Sequence, residues 1–232
     1  MFRVRIAFSK QDPVRWLSHL DTQKAFERAM RRAAIPLAFS EGFNPHPKIA
    51  FASALAVGIV SFGEYVDIDL AAAIDTAEVR ERLQKAMPEG FGIHGVKAVP
   101  PGTQALMAAV NRAQYRLRVP LQEPLDETAI AAALSRSLAE TSWLVEREGK
   151  KGVSTKDIRA GLFQLTGSRT DDALILEMLV QTGSEGNVRP EEVLEAVCRY
   201  GNLSVDRERV RILRLGLFVA QGERLLTPMD VL

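Results

Sequence analysis

The 232-residue chain has one cysteine, Cys198, so it can form no internal disulfide, and a reducing compartment is the simpler expectation. No apolar run approaches the ~20 residues that a membrane-spanning helix requires. The opening, Met1-Phe2-Arg3-Val4-Arg5, lacks the apolar core of a secretory signal. These absences point to a cytoplasmic protein without a membrane partner. An excess of one charge is also missing: 30 Lys and Arg stand against 29 Asp and Glu, for a net charge of +1. Global charge therefore favours no polyanion, and any basic character has to be local. The chain has no phosphate-cradling loop of Walker spacing, no nucleophile elbow and no dinucleotide fingerprint. What is present is ordinary globular material, 47% hydrophobic and 25% charged. Its length allows one large domain or two of about 100 to 120 residues.

The order of elements is more informative. Phe2, Val4, Ile6 and Phe8 alternate with Arg3, Arg5 and Ala7, as in a half-buried strand. Ser18-His19-Leu20-Asp21 reads as a helix start capped by Ser18, and the helix runs to about Ala34. Phe26, Ala29, Met30 and Ala33 fall on one face of it, and Lys24, Arg28, Arg31 and Arg32 on the other. Strands follow through Phe51 and over Glu64–Leu70, then a helix opened by Asp75, then a strand from Phe91 to Val99. Pro100-Pro101-Gly102-Thr103 breaks the pattern and marks a domain boundary. Beyond it, a strand at Tyr115–Val119 precedes a helix opened by Asp126. Extended stretches at Ser142–Glu148 and Asp157–Leu165 are taken together as one interrupted strand. A turn at Gly167–Asp171, a strand at Ala173–Gln181, a helix started by Arg189-Pro190-Glu191-Glu192 and ending near Tyr200-Gly201, and a strand at Val210–Val219 complete the chain. The order β-α-β-β-α-β thus occurs twice. The expectation is an α+β protein of two tandem ferredoxin-like domains, residues 1–102 and 103–232, each with two helices on one sheet face.

The stretch from Ile35 to Ser53 brings Glu41, Asn44, His46 and Lys48 within eight residues, punctuated by Gly42, Pro45 and Pro47. Each proline fixes its own φ and pushes the preceding residue into extended conformation, while Gly42 is free to take a positive φ. A stiff polar loop carried between strands is expected, suited to binding; a structural turn that happens to be polar is the alternative. Arg15, Lys24, Arg28, Arg31, Arg32 and Lys48 would form a phosphate-binding patch next to it, against the alternative of a solvated helix face. Phe43, Asn44 and His46 would be available for base contact. Lys150, Lys151, Lys156 and Arg159 make a second basic cluster, readable also as a guarded strand edge. His19, Asp21 and His46 offer the groups of a metal site or a proton shuttle. However, His19 and Asp21 are two apart at a helix start and do not face each other, so no metal is assigned. Cys198 reads as core.

Several strings resemble a known family. They are Arg15-Trp16-Leu17-Ser18-His19-Leu20-Asp21, Glu41-Gly42-Phe43-Asn44-Pro45-His46-Pro47-Lys48, Lys156-Asp157-Ile158-Arg159 and Gly186-Asn187-Val188-Arg189-Pro190-Glu191-Glu192. Together they are similar to the radical SAM-linked protein family, domain of unknown function 2344, encoded beside or fused to a radical SAM protein. The chain has no Cys-x3-Cys-x2-Cys string of its own, so no cofactor is expected, and the resemblance implies a radical SAM protein as partner. It brings no settled activity. The first expectation is an accessory RNA-binding or substrate-presenting protein acting with a radical SAM enzyme, in RNA modification. The alternatives are an RNA-processing nuclease with His19 or His46 as acid/base, and a pure interaction module docking the radical SAM protein.

Overall fold

The computed structural model describes residues 2–121, 125–149, 152–170, 173–206 and 209–232. Lys150, Lys151 and Asp171, named above, lie outside the described residues. The chain mixes α and β structure, and its sheet pairing is mostly antiparallel. It divides into two compact units: residues 1–112 with 214–232, and residues 113–213.

In the first unit, β1 (Phe2–Lys10) alternates as expected, with Val4, Ile6 and Phe8 buried. A short 3-10 turn leads to α1 (His19–Arg32), and then come β2 (Ile49–Phe51), β3 (Val60–Leu70), α2 (Thr76–Ala86) and β4 (Phe91–Ala98). β1 lies between β4 and β3, and β2 pairs on the far side of β3. All three of these pairings are antiparallel. One sheet face receives α1 and α2. There Phe8 meets Phe26 edge-on at 4.8 Å between ring centroids, and Phe26 meets Phe51 at 5.6 Å. Such T-shaped pairs suit the ring quadrupoles.

The opposite face carries a ladder of ions. The register sets Arg3 opposite Asp69 and Arg5 opposite Asp67, the arrangement in which cross-strand opposite charges interact best. The Arg5 guanidinium donates twice to Asp67, at 2.7 and 2.9 Å, and once to the Pro228 carbonyl at 2.8 Å. Both members of this pair are buried. Alternation alone would leave them in water; here the end of the chain covers them. Lys97 donates to the Met229 carbonyl at 2.9 Å, and Thr227 hydrogen-bonds Tyr65. Desolvation pushes the Tyr65 phenol up.

The unit boundary therefore differs from the expected break at residue 102. A four-residue helix, α3 (Leu106–Ala109), follows the Pro100–Thr103 break. The chain then enters the second unit, and its last residues, from Arg214, return to the first.

The second unit holds most of β5 (Arg112–Pro120), then α4 (Glu127–Ala139), β6 (Leu144–Gly149), β7 (Gly152–Asp157), β8 (Leu162–Arg169), β9 (Ala173–Gln181) and α5 (Pro190–Gly201). Its sheet runs β5-β9-β8. The stretch expected to be one interrupted strand is three. Among the described residues β6 and β7 pair only with each other, with Gly149 opposite Gly152, and β8 joins β9. The break comes at Asp157, whose Oδ1 accepts from the amides of Trp143 and Arg159 at 2.8 and 2.9 Å. These bonds hold its carboxyl below the usual range. Buried Trp143 donates to the Ser137 carbonyl at 2.9 Å and stacks on Tyr200. Cys198 is buried on α5.

The final long strand, β10 (Arg211–Gln221), begins in the second unit and passes into the first, where it is followed by β11 (Arg224–Leu226) paired back on it. In the first unit β10 neighbours β3. Gly63 lies so close to it that a Cβ there would come within 2.7 Å of the Gly216 Cα. Arg214 from this strand donates from Nε to Glu64 at 2.6 Å, and the pair is buried. Among the described residues no helix is long and apolar enough to cross a membrane.

Candidate functional site

Ser18 starts the region. Its hydroxyl accepts from the Asp21 amide at 3.2 Å and donates to the Asp21 carboxylate at 2.6 Å. This satisfies an otherwise unpaired helix donor. The Ser18 hydroxyl, and beyond it the charges of Lys24 and Arg28, hold the Asp21 carboxyl below its usual range. Its stabilising effect is complete above the ordinary carboxylate pKa and is lost as pH falls through the lowered folded value. Ser18→Ala is expected to cost about 1 kcal/mol in a thermal melt. An unchanged melting temperature would show that the cap contributes nothing.

Lys24, Arg28, Arg31 and Arg32 are all exposed along α1. They differ in what they touch. Arg32 donates to the Ala86 carbonyl at the end of α2, at 2.6 Å, where a cation also meets the helix dipole. Arg31 pairs with Glu27 at 2.7 Å, and its guanidinium lies 6.0 Å from the Phe39 ring. Arg28 and Arg32 share a groove of about 300 Å³ with Asp21 and Pro88. Arg15, half-buried, pairs with Asp12 and stacks on Trp16 at 4.6 Å. An exposed pair of this kind is worth well under 1 kcal/mol, so a stronger anion can compete for these arginines.

After α1, Ala34 takes a left-handed φ of 52° and turns the chain outward. Leu37 bridges to Leu70, and Phe39 to Pro47. Ala38 donates to the Asp69 carbonyl, and Asp69 donates to that of Lys48, so both arms of the loop rest against the end of β3. Between them the Ser40 amide donates to the His46 carbonyl at 2.8 Å, and the His46 amide to the Ser40 hydroxyl at 2.9 Å. Gly42 has φ 115°, a conformation that a Cβ would strain. The segment is thus a closed ribbon with Glu41, Phe43, Asn44 and His46 exposed on it, and Lys48 is half-buried at its base.

The other expected site residues lie elsewhere. His19 is half-buried and meets Phe51 edge-on at 5.1 Å. Among the described residues no three His, Cys, Asp or Glu side chains are grouped to hold a metal. In the second unit, Arg159 donates to the Leu138 and Glu140 carbonyls at the end of α4, and Lys156 reaches the Asn187 carbonyl at 3.5 Å.

Lys10 escapes a sequence reading. It is buried, with its ammonium lowered by desolvation, and donates to the Leu17 carbonyl at 2.6 Å, which ties down the approach to α1. A cleft of about 640 Å³ opens between the starts of β1 and α2 and the end of β3. Its walls include Phe2, Ile74 and Pro100–Thr103, and its charges, Arg3 and Asp69, neutralise each other.

A family model described as "Uncharacterized protein conserved in bacteria (DUF2344)" matches residues 3–190. No curated protein matches the chain in sequence. Among solved structures, one from "Crystal Structure of a Cbf5-Nop10-Gar1 Complex" is matched at 7% identity and a TM-score of 0.48, over 91% of this chain and 47% of that one. This chain spans about half the length of that relative. An unknown protein from Galdieria sulphuraria matches at 10% identity and a TM-score of 0.27, over 92% and 98% of the two chains. A CRISPR associated protein, Cas6, matches at 8% identity and 0.20, over 92% and 99%. Likenesses this weak carry no functional inference.

Proposed function

The chain belongs to this uncharacterised bacterial family, DUF2344, and from that premise we propose that it is a cytoplasmic accessory protein that binds or presents RNA to a radical SAM enzyme. One observation carries the RNA part: the exposed cations of α1 lead to the base of the polar ribbon, where Arg31 lies 6.0 Å from Phe39. Phosphates would follow Lys24, Arg28 and Arg31, with Arg15 and Arg32 as further cations of the proposed patch. Glu41, Asn44, His46 and Lys48 would meet the bases. Phosphate contacts of this kind position a strand, and base contacts specify it. Lys156 and Arg159 would add a further contact from the second unit.

We take each unit as a ferredoxin-like motif. The strand order β4-β1-β3-β2 of the first supports that, as does the β5-β9-β8 sheet with two helices in the second. The radical SAM partner rests on the resemblance of the long Ser-His-Leu-Asp and Gly-Phe-Asn-Pro-His-Pro-Lys strings. The chemistry would be the partner's, since one buried cysteine cannot hold an iron–sulfur cluster.

Tagged protein recovered from its native cells tests both halves of the proposal. Sequencing of bound nucleic acid should return a defined RNA, and mass spectrometry should return a radical SAM protein. Recovery of the protein partner with no RNA would leave a pure docking module and end the RNA reading.

A further inference from the structure

Resting on the RNA reading above, we infer that the strand bound is single-stranded and that Phe43 is the platform on which one of its bases stacks. The phenylalanines of the first unit's core, Phe8, Phe26, Phe51 and Phe91, pack against one another. Phe43 is the opposite case: its relative exposure is 108%, a ring held wholly in water. It stands on a rigid support. Gly42 supplies the positive φ beside it, the Ser40–His46 hydrogen bonds close the ribbon beneath it, and Pro45 and Pro47 fix the returning arm.

A stiff aromatic tip beside a basic track is the arrangement that holds single strands. Bases stack on the ring whatever their identity, and the cations follow the backbone. Lys24 to Arg31 spans about 10 Å of helix, room for a short run of phosphates. Asn44 and Glu41, exposed on either side of Phe43, carry an amide and a carboxylate able to pair with base edges and exocyclic amines. A duplex offers this ring nothing, because its bases already stack on each other and the deep groove of A-form RNA excludes side chains.

The test uses the full chain and a short labelled oligouridine, alone and annealed to its complement, read by fluorescence anisotropy. The wild type should bind the single strand at least about tenfold more tightly than the duplex. Phe43→Ala should lose about tenfold on the single strand, with duplex affinity unchanged. Phe43→Trp should retain the affinity and show quenching on binding beyond that of the wild-type tryptophans. Because the ring is wholly exposed, melts of both variants should superimpose on the wild type. Equal affinity for the two RNAs, or an unaffected Phe43→Ala, overturns the stacking role and leaves the basic face standing. Failure to bind either RNA overturns both. Loss of a protein partner by Phe43→Ala with RNA binding intact overturns it in favour of a protein contact.

Discussion

Arg214→Ala is expected to destabilise the first unit by roughly 3–5 kcal/mol, the usual result of leaving a buried charge without its partner. Glu64 is 3% exposed and Arg214 1%. The guanidinium grips the carboxylate through Nε and Nη2, and the Ser61 hydroxyl donates to the same carboxylate. Removing Arg214 strands the Glu64 charge between β3 and the returning strand. Most domains have only about 5–15 kcal/mol in total, so this loss is a large fraction. Glu64→Gln combined with Arg214→Met removes both charges and should recover a substantial part. The same logic applies to fragments. Residues 1–102 lack Arg214 and the cover over Arg5 and Asp67, and should show no cooperative melt. Residues 113–213 should show one. Urea titrations followed by circular dichroism and by hydrogen exchange at β1 and β3 measure these effects. An unchanged midpoint for Arg214→Ala would mean that the returning strand does not stabilise the first unit.

Reversing Lys24, Arg28 and Arg31 to glutamate together should weaken RNA binding by at least about a hundredfold and reduce the salt slope by about 2, given ~0.7 per single-strand phosphate contact. The three positions are exposed, and the reversal breaks the Arg31–Glu27 ion pair, worth a few tenths of a kcal/mol. Stability should therefore change by less than about 1 kcal/mol. The two readouts separate a binding face from a solvated one. Full RNA retention by the folded triple variant would remove α1 from the interface.

The features legible in the sequence are those with local causes. Ser18, Asp75 and Asp126 cap their helices with side-chain oxygens, as their position before each helix suggested. Gly42 takes the positive φ that its place before Phe43-Asn44-Pro45 made available. The burial of Arg5, Glu64 and Asp67 could not be read locally. Alternation sends Arg5 and Asp67 to the face away from the helices, which is normally wet, and puts Glu64 opposite Phe8 on the helix face, where a lone carboxylate would not be expected. The cover arrives from Pro228 and Arg214, more than 140 residues further along the chain, and no short-range pattern announces it. The hairpin of β6 and β7 was missed for a related reason. Two extended runs look alike whether they continue one strand or pair with each other, and here they pair, with Gly149 opposite Gly152. In the site itself, the cations of α1 were visible as a stripe. That Arg32 and Arg159 would donate to carbonyls at helix ends was not, because their acceptors come from other elements.

On the proposed function, one face of the first unit, α1 and the ribbon after it, holds RNA. Ultraviolet cross-linking of the full chain to its RNA, followed by mass spectrometry of the linked peptides, tests this most directly. Cross-links should concentrate in residues 24–48, with Phe43 foremost. Cross-links confined to residues 113–213, with none in that segment, would contradict it.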